Sequence, residues 1–280
     1  MSFDIPVTAA LKAGQSTAYG FWLTFNSPAV ARTILRGAAG AAAATGGARY
    51  SWVLLDAEHG LIGDADYYPL ATAVAAEGAS PLVRVPVAEE WLVKRALDAG
   101  AHGVLTPMCH TAADAERIVR WAKYPPVGSR GYGPMFTLHA FPDAAAVTPA
   151  AYDAHANRAL VVGVQIESRA GVDNVAAIAQ VPGLDFLLIG PFDLALQMGV
   201  VRGGAEHEAA IQKTLQACKA AGKKAAIFCS NGEQARERAA QGFDLVSVTT
   251  DMGALGEAMA QHLGVAHGQP QQGGSKREGY

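Results

Sequence analysis

The sequence predicts an α/β fold, a single-domain (β/α)8 TIM barrel, on three observations. Strand-like and helix-like segments alternate along nearly all of the 280 residues. Eight short apolar runs occur, a number that few architectures other than a closed barrel can bury as parallel strands. The run-to-run connections are long enough for parallel crossovers. An open doubly wound sheet is the alternative.

In chain order, Tyr19–Phe25 (YGFWLTF) is the first strand, followed by a helix from about Pro28. Gly37–Ala48 is rich in Gly and Ala and reads as an inserted surface loop or a helix extension. Trp52–Asp56 is the second strand, with Asp64–Glu77 helical. Pro81–Val85 and Gly103–Thr106 are the third and fourth strands, with helices over Trp91–Ala99 and Ala112–Ala122. Tyr124–Arg158 is long, irregular and rich in Gly, Pro and aromatics. Val161–Ile166 and Phe186–Ile189 are strands five and six, joined by a helical pattern through Val172, Val175, Ile178 and Ala179. Glu206–Ala221 is helical, Lys224–Phe228 is strand seven and Gln234–Ala240 is helical. Asp244–Val248 is strand eight, and Ala254–Leu263 is the last helix. The barrel is expected over 1–266, and the polar, Gly/Gln-rich segment 267–280 is expected to be a disordered tail.

Composition excludes several function classes. Half of the chain is apolar, ample for a core, and the formal charge of −3 with no Lys/Arg-rich run argues against a nucleic-acid surface. No apolar stretch reaches membrane-spanning length, and the N-terminus lacks a secretory pattern. Cys109, Cys218 and Cys229 are scattered, with no CxxC pair, which fits a reducing compartment such as the cytoplasm and gives no zinc signature.

The chemistry concentrates in 161–199. Strand five ends in Gln165-Ile166-Glu167-Ser168, and strand six in Gly190-Pro191-Phe192-Asp193. Parallel strands put both carboxylates at the same, active end of the sheet. One hard oxygen ligand per strand end suits a divalent cation with open positions for water and substrate. The bland alternative is that Glu167 caps the next helix and Asp193 caps a turn. Asp56, His59 and Arg84 fall on the same rim. His102, His110, His139, His155, His207, His262 and His267 read as surface or loop residues. No lysine is expected to project from this rim, so imine chemistry has no support, and no GxxxxGK[ST] or GxGxxG element follows a strand.

In order, WVLLDAEHG, LVRVP, RALDAGAHGVLTPM, KYPPVGSRGYG, VQIES and LLIGPFDLALQMG resemble the HpcH/HpaI aldolase/citrate lyase family. The similarity runs from roughly Ser16 to Leu263 and is strongest to its metal-dependent class II pyruvate aldolases. It implies a barrel of the phosphoenolpyruvate/pyruvate type. It also implies reversible aldol cleavage of a 4-hydroxy-2-oxo acid to pyruvate and an aldehyde through a metal-bound pyruvate enolate. By motif position, Glu167 and Asp193 would bind Mg2+, Mn2+ or Co2+. Gln165 and the backbone around Gly190, Pro191, Phe192 and Asp193 would hold the pyruvate carboxylate. Arg84 would stabilise the enolate oxygen and alkoxide, His59 would be the acid/base, and Asp56 would fix its loop. Asp98 would partner a histidine of a neighbouring subunit. The family further implies a homohexamer, a trimer of dimers with a swapped helix.

These roles are chemically coherent. A guanidinium stays charged and suits a developing oxyanion, and an imidazole can exchange the proton of a 4-hydroxyl near neutral pH. Phe192 departs from the small residue expected beside the metal-binding Asp, so its ring either reshapes the acceptor side or packs into the barrel wall against Leu194 or Leu196. Gly37–Ala48 and the segment Phe136–Tyr152 resemble the fungal branch that includes macrophomate synthase. Oxaloacetate decarboxylation or carbon–carbon-forming synthesis is therefore the alternative activity. A CoA-ester lyase and a silent 2-keto-acid-binding barrel are further alternatives.

Overall fold

The computed structural model describes residues 5–12, 17–141 and 147–269. Its eight strands are β1 (Ala18–Leu23), β2 (Trp52–Asp56), β3 (Ser80–Arg84), β4 (Gly103–Thr106), β5 (Val161–Ile166), β6 (Phe186–Ile189), β7 (Lys224–Ile227) and β8 (Leu245–Thr250). They pair in parallel in sequence order, and β8 closes on β1. The barrel expectation holds because nearly every strand residue is buried, as a sheet covered on both faces requires. Small residues make room for large ones inside. A Cβ on Gly163 would stand 2.1 Å from the Phe186 ring on the neighbouring strand.

Several boundaries differ from the sequence expectation. Of the two readings of Gly37–Ala48, the helix extension holds as far as Thr45: the helix Pro28–Thr45 ends at Gly46 in the left-handed region. Its alanines favour helix and its glycines cost too little to stop it. The irregular segment Tyr124–Arg158 is helical over Pro149–Ala159, with Thr148 accepting from Ala151 N–H as its N-cap; 142–146 lie outside the described residues. The crossover between β5 and β6 is two short helices, Arg169–Asp173 and Val175–Ala179. Pro191–Met198 is a helix, with Pro at its start and Gly199 at its end. The expected disordered tail lies outside the described residues from 270 on.

The strand-start end is sealed. Ile5 and Val7 of the N-terminal segment are buried, and Val7 N–H donates to Ser80 Oγ (3.0 Å). His102, expected on the surface, is instead buried there. It is bonded to Ser80 Oγ and the Ala140 carbonyl and stacked on Phe141. His207 is buried too: it accepts from Gly203 N–H at Nδ1 and donates from Nε2 to the Pro191 carbonyl (2.8 Å).

The last helix, Asp251–Ala266, behaves differently. Asp251 is buried and accepts from the backbone N–H groups of Thr24 and Phe25, tying the end of β8 to β1. Beyond it Met252, Leu255, Met259 and Leu263 are all more than half exposed. No described helix is long and apolar enough to cross a membrane.

Burial lowers the His102 pKa to about 4. The unfolded chain takes up that proton near pH 6.5 and the folded chain only near 4, so this contribution is complete above 6.5 and fades as pH falls through that window. Its ceiling is roughly 3 kcal/mol. In urea unfolding at pH 7.0 and 4.5, His102→Gln should show a smaller loss of stability on acidification than the wild type. Equal losses would place the acid sensitivity elsewhere.

Candidate active site

Glu167 leaves β5 into a buried position. Ser168, not Glu167, caps the next helix through Gly171 N–H, which removes the capping explanation for the carboxylate. Glu167 Oε1 accepts from Met108 N–H (2.9 Å), and Oε2 accepts a short bond from Gln165 Nε2. Met108 holds φ +55°, a left-handed conformation costing about 1 kcal/mol or more for a side chain of this size. Burial raises the Glu167 pKa to about 7, with the charges of Asp193 and Glu58 adding to it against the Met108 N–H and Arg84.

Asp193 lies in the first turn of the helix Pro191–Met198, half-buried and facing the cavity. Gly190 precedes that helix. A Cβ there would stand 2.3 Å from Glu167 Oε2 and 2.8 Å from Gln165 Nε2, so the approach of the two strand ends needs glycine.

Arg84, at the end of β3, is almost completely held. Nε and Nη2 donate to Asp56 Oδ1 (2.9 Å) and Oδ2 (2.7 Å), Nη1 lies 2.7 Å from Glu58 Oε2, and the guanidinium stacks 4.3 Å from the Trp22 ring centroid. Asp56 also accepts from the N–H groups of Glu58 and His59, so one carboxylate fixes both the arginine and the loop. His59 projects with its side chain 65% exposed, its Nε2 3.9 Å from Glu58 Oε1. Burial raises the Glu58 pKa, opposed chiefly by Arg84.

These groups surround a cavity of about 380 Å3 at the strand-end rim. Asp56, His59, Arg84, Gln165, Gly190, Pro191, Phe192 and Asp193 all line it, while Glu167 lies beneath. Phe192 turns toward the cavity, not into the wall with Leu194 or Leu196, and meets Phe228 edge-on at 5.9 Å. Asp98 stands apart: it ends the helix that returns the chain to the start of β4. There it accepts from Arg130 Nη2 (2.6 Å), whose guanidinium covers Tyr124. Among the described residues its hydrogen bonds run to Arg130 and Thr137, away from the rim.

The sequence reading gave no role to Glu58, Trp22, Phe228 or Arg202. Glu58 was visible in the loop motif, two residues after Asp56. Trp22 and Phe228 become relevant only through the barrel register, which sets them 5.0 Å apart edge-on.

The donor set fits a hard divalent cation. Glu167 and Asp193 supply carboxylate oxygens, and Gln165 Oε1 is buried without a partner. At Gly190 the Glu167 carboxylate and the Gln165 amide occupy the space a side chain would need. Two carboxylates on a divalent cation leave positions for water and substrate.

A closed parallel barrel with its polar groups gathered at the strand ends belongs to the class of barrel enzymes. The chain belongs to the HpcH/HpaI aldolase/citrate lyase family, whose model matches residues 35–258, and it is an aldolase, a carbon–carbon lyase. It is 36% identical over 256 residues to the hydroxypyruvate/pyruvate aldolase of Chromohalobacter salexigens, covering 90% of this chain and 94% of that one. A crystal structure of a family member from Burkholderia cenocepacia superposes with a TM-score of 0.80 at 34% identity, covering 93% and 98% of the two chains. Macrophomate synthase superposes equally well (TM-score 0.80) at 23% identity, over 94% of this chain and 88% of that one, a likeness of fold.

Gly190→Ala should push Glu167 and Gln165 apart and lower aldolase kcat/KM by about a hundredfold or more. Circular dichroism should be unchanged. Near-wild-type turnover would mean that the two strand ends have slack.

Proposed function

We propose that the protein is a class II pyruvate aldolase that reversibly cleaves a 4-hydroxy-2-oxo acid to pyruvate and an aldehyde. The observation that carries this reading is the buried Glu167, which feels the charge of Asp193, with the unpartnered Gln165 oxygen and the close approach of Gly190 to both Glu167 and Gln165. Glu167 and Asp193 would hold Mg2+, Mn2+ or Co2+, and the buried, unpartnered Gln165 oxygen is a further candidate oxygen donor. A divalent cation there supplies Lewis acidity to the 2-keto group. The backbone from Gly190 to Asp193 opens a helix, and its N–H groups suit the pyruvate carboxylate.

Arg84 stabilises negative charge as it develops on oxygen. Its in-plane bonds to Asp56 and its contact with Glu58 fix the guanidinium before substrate arrives. His59 lines the cavity, which supports its role in taking the 4-hydroxyl proton in cleavage and returning it in addition. Phe192 supplies apolar surface on the acceptor side.

The expected assembly is a homohexamer built as a trimer of dimers. The apolar row Met252, Leu255, Met259 and Leu263 supports a swapped last helix, because an aldolase barrel has no reason to leave it in water. Asp98 then serves the histidine of a neighbouring subunit. The three buried, unpaired cysteines fit the cytoplasm.

The test compares 4-hydroxy-2-oxo acid cleavage with oxaloacetate decarboxylation, which needs the same enolate but no 4-hydroxyl proton. Exhaustive EDTA treatment should abolish both, and Mg2+, Mn2+ or Co2+ should restore both. His59→Ala should depress cleavage about tenfold or more beyond its effect on decarboxylation. Full activity after EDTA, with borohydride trapping of a lysine, would refute the class II reading; equal losses in the His59 variant would remove its acid/base role.

A further inference from the structure

The loop that leaves β4 carries one strained residue and several ties to the end of β5. Met108 keeps its left-handed backbone while its N–H rests on Glu167 Oε1. A residue with a side chain stays in that region only where its neighbours hold it. Here they do so on both sides. β4 pairs with β5 up to Thr106 and Val164, and the ties resume at Cys109, whose N–H donates to the Gln165 carbonyl (3.1 Å). His110 follows and is bonded at three points. Its N–H donates to Asp114 Oδ2 (3.2 Å), its carbonyl accepts from Asn174 Nδ2 (2.9 Å), and its ring Nδ1 lies 2.8 Å from Ser168 Oγ.

Ser168 is the residue after Glu167. Its oxygen accepts from Gly171 N–H (3.1 Å), which leaves its own hydrogen for His110 Nδ1. Gly171 makes the approach possible: a Cβ there would stand 2.8 Å from the Cys109 carbonyl oxygen and 3.3 Å from Ser168 Oγ. The consequence falls on the carboxylate between these ties. The Met108 N–H engages Oε1, and Oε2 lies where a Gly190 Cβ would collide with it, at the start of the helix that carries Asp193.

We propose that His110 is a positioning residue for the cation site: its bonds to Ser168 and Asn174 hold Met108 in the left-handed conformation, and the Met108 N–H thereby fixes the Glu167 carboxylate for a divalent cation shared with Asp193. The inference rests on the cation site proposed above. His110 acts through the backbone of its own loop, not by touching cation or substrate. Two substitutions follow from that route. Glycine at 108 adopts the left-handed region without the side-chain cost, so it makes the tie at His110 dispensable. Asparagine at 110 carries a polar atom at about the place of Nδ1, so it keeps the bond to Ser168.

The test is calorimetric titration of the metal-free protein with Mn2+, beside its melting temperature. His110→Ala should bind Mn2+ about tenfold or more weakly than the wild type, with the metal-free protein melting within about 3 °C of it. His110→Asn should keep most of the affinity. Met108→Gly added to His110→Ala should recover most of what was lost. If His110→Ala does not fold, Asn174→Ala cuts the tie at the His110 carbonyl alone, and it should weaken Mn2+ binding severalfold, again with recovery by Met108→Gly. Unchanged Mn2+ affinity in the variant that folds, or a loss that Met108→Gly does not recover, overturns the role of His110 alone. Absence of Mn2+ binding by the wild type would instead overturn the cation site, and this inference with it.

Discussion

The rim of the barrel is organised around an imbalance of charge. Asp56 and Glu58 pair with the guanidinium of Arg84, while Asp193 and Glu58 repel the buried Glu167, on which Arg84 acts only weakly. Asp56 is neutralised by its paired bonds, and breaking such a buried pair costs about 3 to 5 kcal/mol, so this part of the site is rigid. Glu58 shares the same arginine. Glu167 has only N–H donors, and the nearby Asp193 makes its burial less favourable. A divalent cation held by Glu167 and Asp193, as proposed, would offset that repulsion.

The surrounding structure serves that cluster. Gly190 lets β6 come within a side chain's width of Glu167, Met108 accepts an unfavourable backbone conformation to aim its N–H at the same carboxylate, and the Trp22 ring fixes the remaining face of Arg84. Each gives up some local stability for position, as residues at a functional site commonly do.

The barrel and most of the rim were legible in the sequence because both depend on short-range pattern. Apolar runs named all eight strands, and a polar cluster after each of β2, β5 and β6 marked the active end. What escaped depends on register and long-range packing. Trp22 and Arg84 are distant in sequence and meet only when β1 and β3 flank β2. His102 and His207 looked like surface histidines because no local pattern reveals that their ring nitrogens have buried partners. The apolar row on the last helix drew no comment in the sequence, because only its place in the fold reveals that Met252, Leu255, Met259 and Leu263 are exposed.

The central claim is that Glu167 and Asp193 together form a cation site, and direct Mn2+ binding measured by electron paramagnetic resonance tests it without any turnover. The account predicts one bound Mn2+ per chain in the wild type, and binding weaker by about a hundredfold or more in both Glu167→Gln and Asp193→Asn. Undiminished Mn2+ binding in both variants would contradict it.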